Sequence, residues 1–190
     1  MRPLETLLKS HDEKLVQSLI QVLAGLNGER PLKIFMGLIR HSSERIRQEA
    51  LKRIFQRDSA HIHEVYNLID DKDESIRRLI LKHMGQSRNP SAERFLLSYL
   101  EHQKAKDVLD DHIIACFTTL GLCGSARSIP FLKRTLLGSG WLPSFGKKAH
   151  RMGAAIALSK IGTKEAGQIL HDAGRSLNPN LRHIARKAMN

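Results

Sequence analysis

The sequence predicts an all-α, right-handed α-solenoid of about six antiparallel helix-pair repeats, with no strands. Three observations predict it. Apolar residues recur at i, i+3, i+4 and i+7 along nearly the whole chain, and no stretch alternates apolar and polar as a half-buried strand does. Short breaks rich in Gly, Pro, Ser, Asn and Asp cut this pattern into segments of helix length. An anchor position, usually Arg after an apolar residue, returns at Val16, Arg47, Arg77, Asp110, Arg151 and Arg182, with spacings of 31, 30, 33, 41 and 31 residues. A sustained period near 31, with two helices per unit, reads as stacked repeats, because one helix pair cannot bury its apolar face alone.

A short helix is expected at 2–10, followed by a pair at 12–26 and 30–40. Leu15, Val16, Leu19, Ile20, Val22, Leu23 and Leu26 give the first of these its apolar face. Asn27-Gly28 ends it, and Pro31 suits the first turn of the next, where a missing N–H is harmless. The pair 43–57 and 59–70 starts from Ser43 and Ser59 as N-caps, and Ile46-Arg47 leads to Ala50, Leu51 and Ile54. In 73–86 and 90–103, Asp73 and Asn89 cap, Pro90 follows, and Ile76-Arg77 leads to Ile80, Leu81 and Met84. The pair 106–121 and 126–137 carries Ile113, Ile114 and Phe117, with an expected exit at Leu120-Gly121 and a break at Gly124-Ser125. Arg151 opens 148–161 and leads to Ala154, Ala155, Leu158 and Ile161-Gly162; Thr163 caps 163–175. Asn178-Pro179 starts a last helix, 178–189, whose Arg182, His183, Arg186 and Lys187 would form a wet, basic C-terminal cap.

At these residues the chain resembles the HEAT-repeat superfamily, particularly its short bacterial form. The best match is 151–175 (RMGAAIALSKIGTKEAGQILHDAGR): an Arg, an Ala-rich first helix, a Leu-x-x-Ile-Gly exit and a Glu-Ala-x-x-x-Leu second helix. ARSIPFLKRTLL at 126–137 resembles the family's second helix. The resemblance covers most of the chain, is strongest after about residue 107, and rests on packing and turn residues. It implies a single repeat domain over 1–190, interrupted by an inserted loop at 138–147. The N-terminus looks less capped than the C-terminus, as in the C-terminal part of a longer array.

The charge is one-sided. The 190 residues carry 31 Lys+Arg against 19 Asp+Glu, a net of +12. After residue 111 the only acids are Glu165 and Asp172, and the net charge of 112–190 is +10. Such a field bears on partners and association, not on fold. No apolar run is long enough to span a bilayer, and MRPLETLLKS has neither an apolar h-region nor a cleavage site. Two cysteines give no disulfide framework. The expectation is a cytoplasmic protein.

Sites of chemistry are sparse. Cys116 and Cys123 share a helix face at i+7, about 10 Å apart, too far for a disulfide; they read as buried small hydrophobes. His61-x-His63 points its rings to different faces, so no metal is expected. The stretch from Gly138 to Lys148 departs from a phosphate loop in glycine spacing, lacks Ser or Thr after Lys147, and follows a helix instead of a strand. Neither a cofactor nor a small-molecule substrate is expected, and the chain reads as non-enzymatic. The anchor arginines read as a structural ladder beside carboxylates such as Asp73 and Glu44.

The insertion is the most informative feature, because insertions in repeats map to loops on one face, often a binding face. It holds the only Trp, Trp141, and cations bracket it: Arg127, Lys133 and Arg134 before, Lys147, Lys148 and Arg151 after. Those seven residues are the candidate partner-binding set. The ring would stack and the cations would take carboxylates or phosphates. The alternative is that Trp141 and Leu142 fold back over an apolar helix edge. HEAT-like repeats usually act as binding modules, so the resemblance implies a non-catalytic scaffold. It would bind an acidic protein through a concave face built from second helices and its basic C-terminal third. Nucleic-acid backbone binding by the same patch is the alternative. The superfamily's DNA-repair glycosylases rely on several aromatics and a catalytic Asp in a concave cleft, whereas this chain has one Trp and its basic third has no acid besides Glu165 and Asp172. Its phycobilin lyases share only the generic repeat with 151–170.

Overall fold

A computed structural model describes residues 12–57, 62–87, 89–102, 110–138 and 148–190. The described residues form eleven α-helices and two short 3-10 turns, with no strand. The helices are α1 (Glu13–Ala24), α2 (Glu29–Leu38), α3 (Glu44–Phe55), α4 (Ile62–Tyr66), α5 (Glu74–Ser87) and α6 (Pro90–His102), then α7 (Asp110–Cys123), α8 (Ile129–Leu137), α9 (Lys148–Ile161), α10 (Lys164–Gly174) and α11 (Pro179–Met189). The all-helical class and nearly all element positions agree with the hydrophobic spacing. The helix expected at 2–10 and the cap at Ser59 lie outside the described residues.

Three boundaries differ for physical reasons. The helix expected at 59–70 is α4 continued by a 3-10 turn, Asn67–Asp70. The segment 126–137 likewise opens with a 3-10 turn, Ala126–Ser128, before α8. α7 does not end at Gly121 but continues to Cys123. Gly121 instead serves a close approach: a Cβ there would lie 2.8 Å from Ala157 Cα and 3.0 Å from Ala157 O.

The capping residues mostly act as their chemistry dictates. Thr163 accepts from the Ala166 N–H, Asn178 from Asn180 and Leu181, and Asn89 from Ser91. Asp12 caps α1 through Leu15. Gly162, at φ +65°, ends α9 in the left-handed conformation that glycine adopts without a Cβ penalty. Ser43 and Asp73 do not cap with their side chains; their backbone N–H groups are instead held by His41 Nδ1 (3.0 Å) and Asp71 Oδ1 (2.9 Å).

The chain divides into two compact units, Met1–Ile80 and Leu81–Asn190, with the boundary inside α5. In the first, α1 and α2 both pack on α3. Val16, Ile20, Phe35, Ile46, Ala50, Leu51, Ile54, Val65, Tyr66 and Ile69 form its core. In the second, α7 packs tightly on α9, α9 on α11, α8 on both α9 and α10, and α10 on α11. Phe117 sits at its centre, stacked on Phe131 (centroids 6.0 Å apart) and met edge-on by His150 (5.8 Å). Gly153 leaves room for that ring: a Cβ there would lie 2.6 Å from Phe117 Cδ2. Ala154, Ala155 and Ala157 are fully buried, so α9 presents a small-residue face to its neighbours.

Candidate functional site: the basic surface of the second unit

The bonds of the anchor arginines decide which charges are available. Each reaches back to the carbonyl that ends the preceding segment. Arg47 donates to His41 O (2.8 Å) and Ser42 O (2.9 Å), Arg77 to Asp71 O (2.7 Å) and Lys72 O (3.1 Å), and Arg182 to Ser176 O (3.1 Å). The residue six before the arginine also holds the N–H two residues on with its own side chain, in three chemistries: His41, Asp71 and Ser176. The same turn is thus built at 41–47, 71–77 and 176–182. Arg151 makes the equivalent bond across the insertion, to Gly138 O at 2.8 Å. Among the described residues the carboxylate part of the expected ladder is present at one link, where Arg47 pairs with Asp71 (3.2 Å) and Asp73. Glu44 bonds Gln48 and Ser75 instead. Arg47 is only 3% exposed, so its four acceptors compensate a buried cation.

A second buried charge shapes the approach to α8. Glu93, 6% exposed, accepts from the Ser125 N–H (2.8 Å), the Ser125 hydroxyl (2.9 Å) and the Ser128 hydroxyl (2.7 Å). Burial alone would raise its carboxyl. Those hydrogen bonds, with the Arg127 charge, hold it below the usual glutamate range. Cys123 lies in the same region, and burial first, then the Glu93 charge, pushes its thiol up to about 11. Both cysteines are buried, and no disulfide joins them.

The sequence-predicted site residues separate into three groups. Trp141 and Lys147 lie outside the described residues. Arg127, Lys133 and Arg134 are exposed on the 3-10 turn and on α8, and Arg134 reaches Glu101 at 3.3 Å. Lys148 and Arg151 are on α9, where Arg151 is half-buried on its carbonyl and Lys148 is exposed.

Lys148 meets partners that spacing alone did not add to the candidate set. It lines a groove of about 170 Å³ between α9 and α11, with Met152 and Ile156 from α9 and His183, Ile184, Lys187 and Ala188 from α11. Lys148, Met152 and Ile156 follow one another at i, i+4 and i+8, so one face of α9 forms a wall with a cation at one end and an apolar floor behind it. On its outer side α11 carries an open hollow of about 400 Å³ flanked by Arg182, His183, Arg186 and Lys187. His183 and Lys187 belong to both, so α11 is a cationic ridge with an apolar groove along one flank. The signal for it was present: α11 reads PNLRHIARKAM, with cations at i, i+1, i+4 and i+5 and no acid. It is easily assigned to a solvated cap when the helix is viewed alone.

The groove lies between α9 and α11, away from the second-helix surface expected from the sequence to bind a partner. Among the described residues, Lys148, Arg186 and Lys187 have no carboxylate within 4 Å, and neither α9 nor α11 contains an acid. Of the two acids after residue 111, Asp172 is held by Gln168 (2.8 Å) and faces His171 (3.6 Å). In the first unit, by contrast, Lys33, Arg47, Lys52, Arg53 and Arg78 all meet carboxylates.

Neither a family model nor a curated protein matches this sequence. Among the described residues no helix is long and apolar enough to cross a membrane, and no three His, Cys, Asp or Glu side chains gather as metal ligands.

Proposed function

We propose that this chain is a right-handed α-solenoid of HEAT-like helix pairs, and that it acts as a non-catalytic scaffold for an acidic protein partner. Two observations support the repeat reading. The anchor turn recurs with the same bonds at 41–47, 71–77 and 176–182, and first helices pack on first helices from α7 to α9 to α11. The partner reading is carried by one observation: Lys148 and Lys187, which have no carboxylate partner among the described residues, stand beside an apolar groove. These cations leave a field that attracts anions, and the apolar strip beside them attracts side chains. The apolar strip favours a protein over a nucleic-acid backbone, whose phosphates give Met152, Ile156 and Ile184 nothing to bury against.

The test is a pull-down from nuclease-treated native extract, comparing the wild-type chain with a Lys148→Glu/Arg186→Glu/Lys187→Glu variant. The expected result is an acidic protein retained by the wild type, released as salt rises, and lost by the variant. Capture that disappears on nuclease treatment, with duplex or single strand binding directly at about 50 mM salt, overturns the protein reading in favour of nucleic acid.

A further inference from the structure

The groove between α9 and α11 narrows the choice of partner. At about 170 Å³ it is smaller than the roughly 300 Å³ at which pockets begin to hold a drug-sized ligand or cofactor. It suits an aliphatic side chain. Its floor is Met152, Ile156, Ile184 and Ala188, and its rim is Lys148 on one wall with His183 and Lys187 on the other. The flexible thioether of Met152 lets the floor adapt to the shape of what enters. No carboxylate lines it. The two walls therefore ask for different chemistry in one short segment: an apolar residue between acidic ones.

We infer that this groove anchors a short acidic segment of the partner through a single aliphatic residue, with flanking Asp or Glu side chains on Lys148, His183 and Lys187. The inference rests on the acidic-partner reading above and adds its docking point. Burying one aliphatic side chain supplies affinity that does not depend on salt, while Lys148 and Lys187 set orientation and association rate and His183 adds a polar contact. The occupant is an acidic peptide and not a second copy of this chain, since the region around the groove is itself strongly basic and copies would repel there.

The experiment titrates the full chain with two labelled peptides of the same Glu/Asp content, one with a central Leu and one with a central Ser, and with duplex DNA as a third probe. The Leu peptide should bind about tenfold or more tightly than the Ser peptide, the effect of burying one aliphatic side chain. That preference should persist when salt is raised. Met152→Glu should abolish the preference, and Lys148→Glu/Lys187→Glu should weaken both peptides, with helical content unchanged in each variant. Equal binding of the two peptides overturns the groove inference while leaving an acidic partner in place. So does binding that survives both variants and is lost only on charge reversal at Arg127, Lys133 and Arg134. If neither peptide binds at low salt, the acidic-partner reading falls as well; tighter binding of DNA than of both peptides transfers the ridge to nucleic acid.

Discussion

Gly121 and Gly167 are both helical glycines of the second unit, yet replacing each with Ala should move stability in opposite directions. At Gly167 a new Cβ meets nothing within 4 Å. The substitution there only removes backbone entropy from the unfolded chain and should stabilise by about 0.5–1 kcal/mol. At Gly121 the same gain is opposed by backbone. The added Cβ would sit 2.8 Å from Ala157 Cα, 2.9 Å from Lys160 Cβ and 3.0 Å from Ala157 O. Two of these atoms belong to the main chain of α9 and cannot turn aside, so α7 and α9 must separate. Overpacking of this kind costs about 1–3 kcal/mol. With backbone as the obstacle the upper part of that range applies, leaving a net loss of about 2 kcal/mol after the propensity gain. With a urea slope of about 2 kcal/mol/M, the Gly121→Ala midpoint falls by about 1 M and the Gly167→Ala midpoint rises by a few tenths of a molar. Urea unfolding followed by far-ultraviolet circular dichroism reads both. A Gly121→Ala midpoint equal to or above wild type would refute the close α7–α9 approach.

Three further outcomes follow from buried charges and thiols. Arg47→Ala strips a buried cation from Asp71, Asp73 and two carbonyls and should destabilise by about 3–5 kcal/mol, measured by urea unfolding; Arg78→Ala, at an exposed pair, should change stability by less than about 1 kcal/mol. Glu93 has its folded-state carboxyl below the ordinary value of 4.5, so its stabilisation is present above that pH and is lost as pH falls through the folded value. Glu93→Gln should flatten the acid limb of a stability-against-pH curve; an unchanged limb would show that Glu93 does not titrate on unfolding. Cys123, buried with its thiol raised to about 11, should resist alkylation at pH 8 in the native chain and react once urea unfolds it, as mass spectrometry of the modified peptide would report.

What could be read from the sequence depended on the range of the interaction behind it. Helix positions were legible because apolar spacing and caps are local: Thr163, Asn178 and Gly162 stand where their chemistry demands. The role of Gly121 was not. In sequence, a glycine near a helix end reads as an exit, and only the backbone of α9, 36 residues on, turns it into a contact point. The anchor arginines were legible as a repeat and only partly as chemistry. Their acceptors are mainly main-chain carbonyls, which every residue carries and no sequence pattern marks. The candidate site shows the same limit. Lys148 was visible as a cation beside the insertion, while the groove that gives it meaning needs α11 folded against α9.

Net charge and available charge are different quantities in this chain. Residues 112–190 carry +10, but the anchor arginines among them are partly committed: Arg151 to Gly138 O and Arg182 to Ser176 O. Arg134 is partly offset by Glu101, and Arg127 by the buried Glu93. The cations left without such partners among the described residues include Lys148, Arg186 and Lys187; Lys148 and Lys187 border the apolar groove, and Arg186 flanks the outer hollow of α11. At 41–47, 71–77 and 176–182 the arginine serves the preceding carbonyl, so that charge is needed there whether or not a partner exists. Carboxylates are free to vary, and the first unit uses Asp71, Asp73, Glu49 and Glu29 to balance its cations. The last helices omit them. An uncompensated field opposes compaction of its own helices. The lysines on α9 and α11 serve no carbonyl or carboxylate among the described residues, so their charge is not spent on holding the fold.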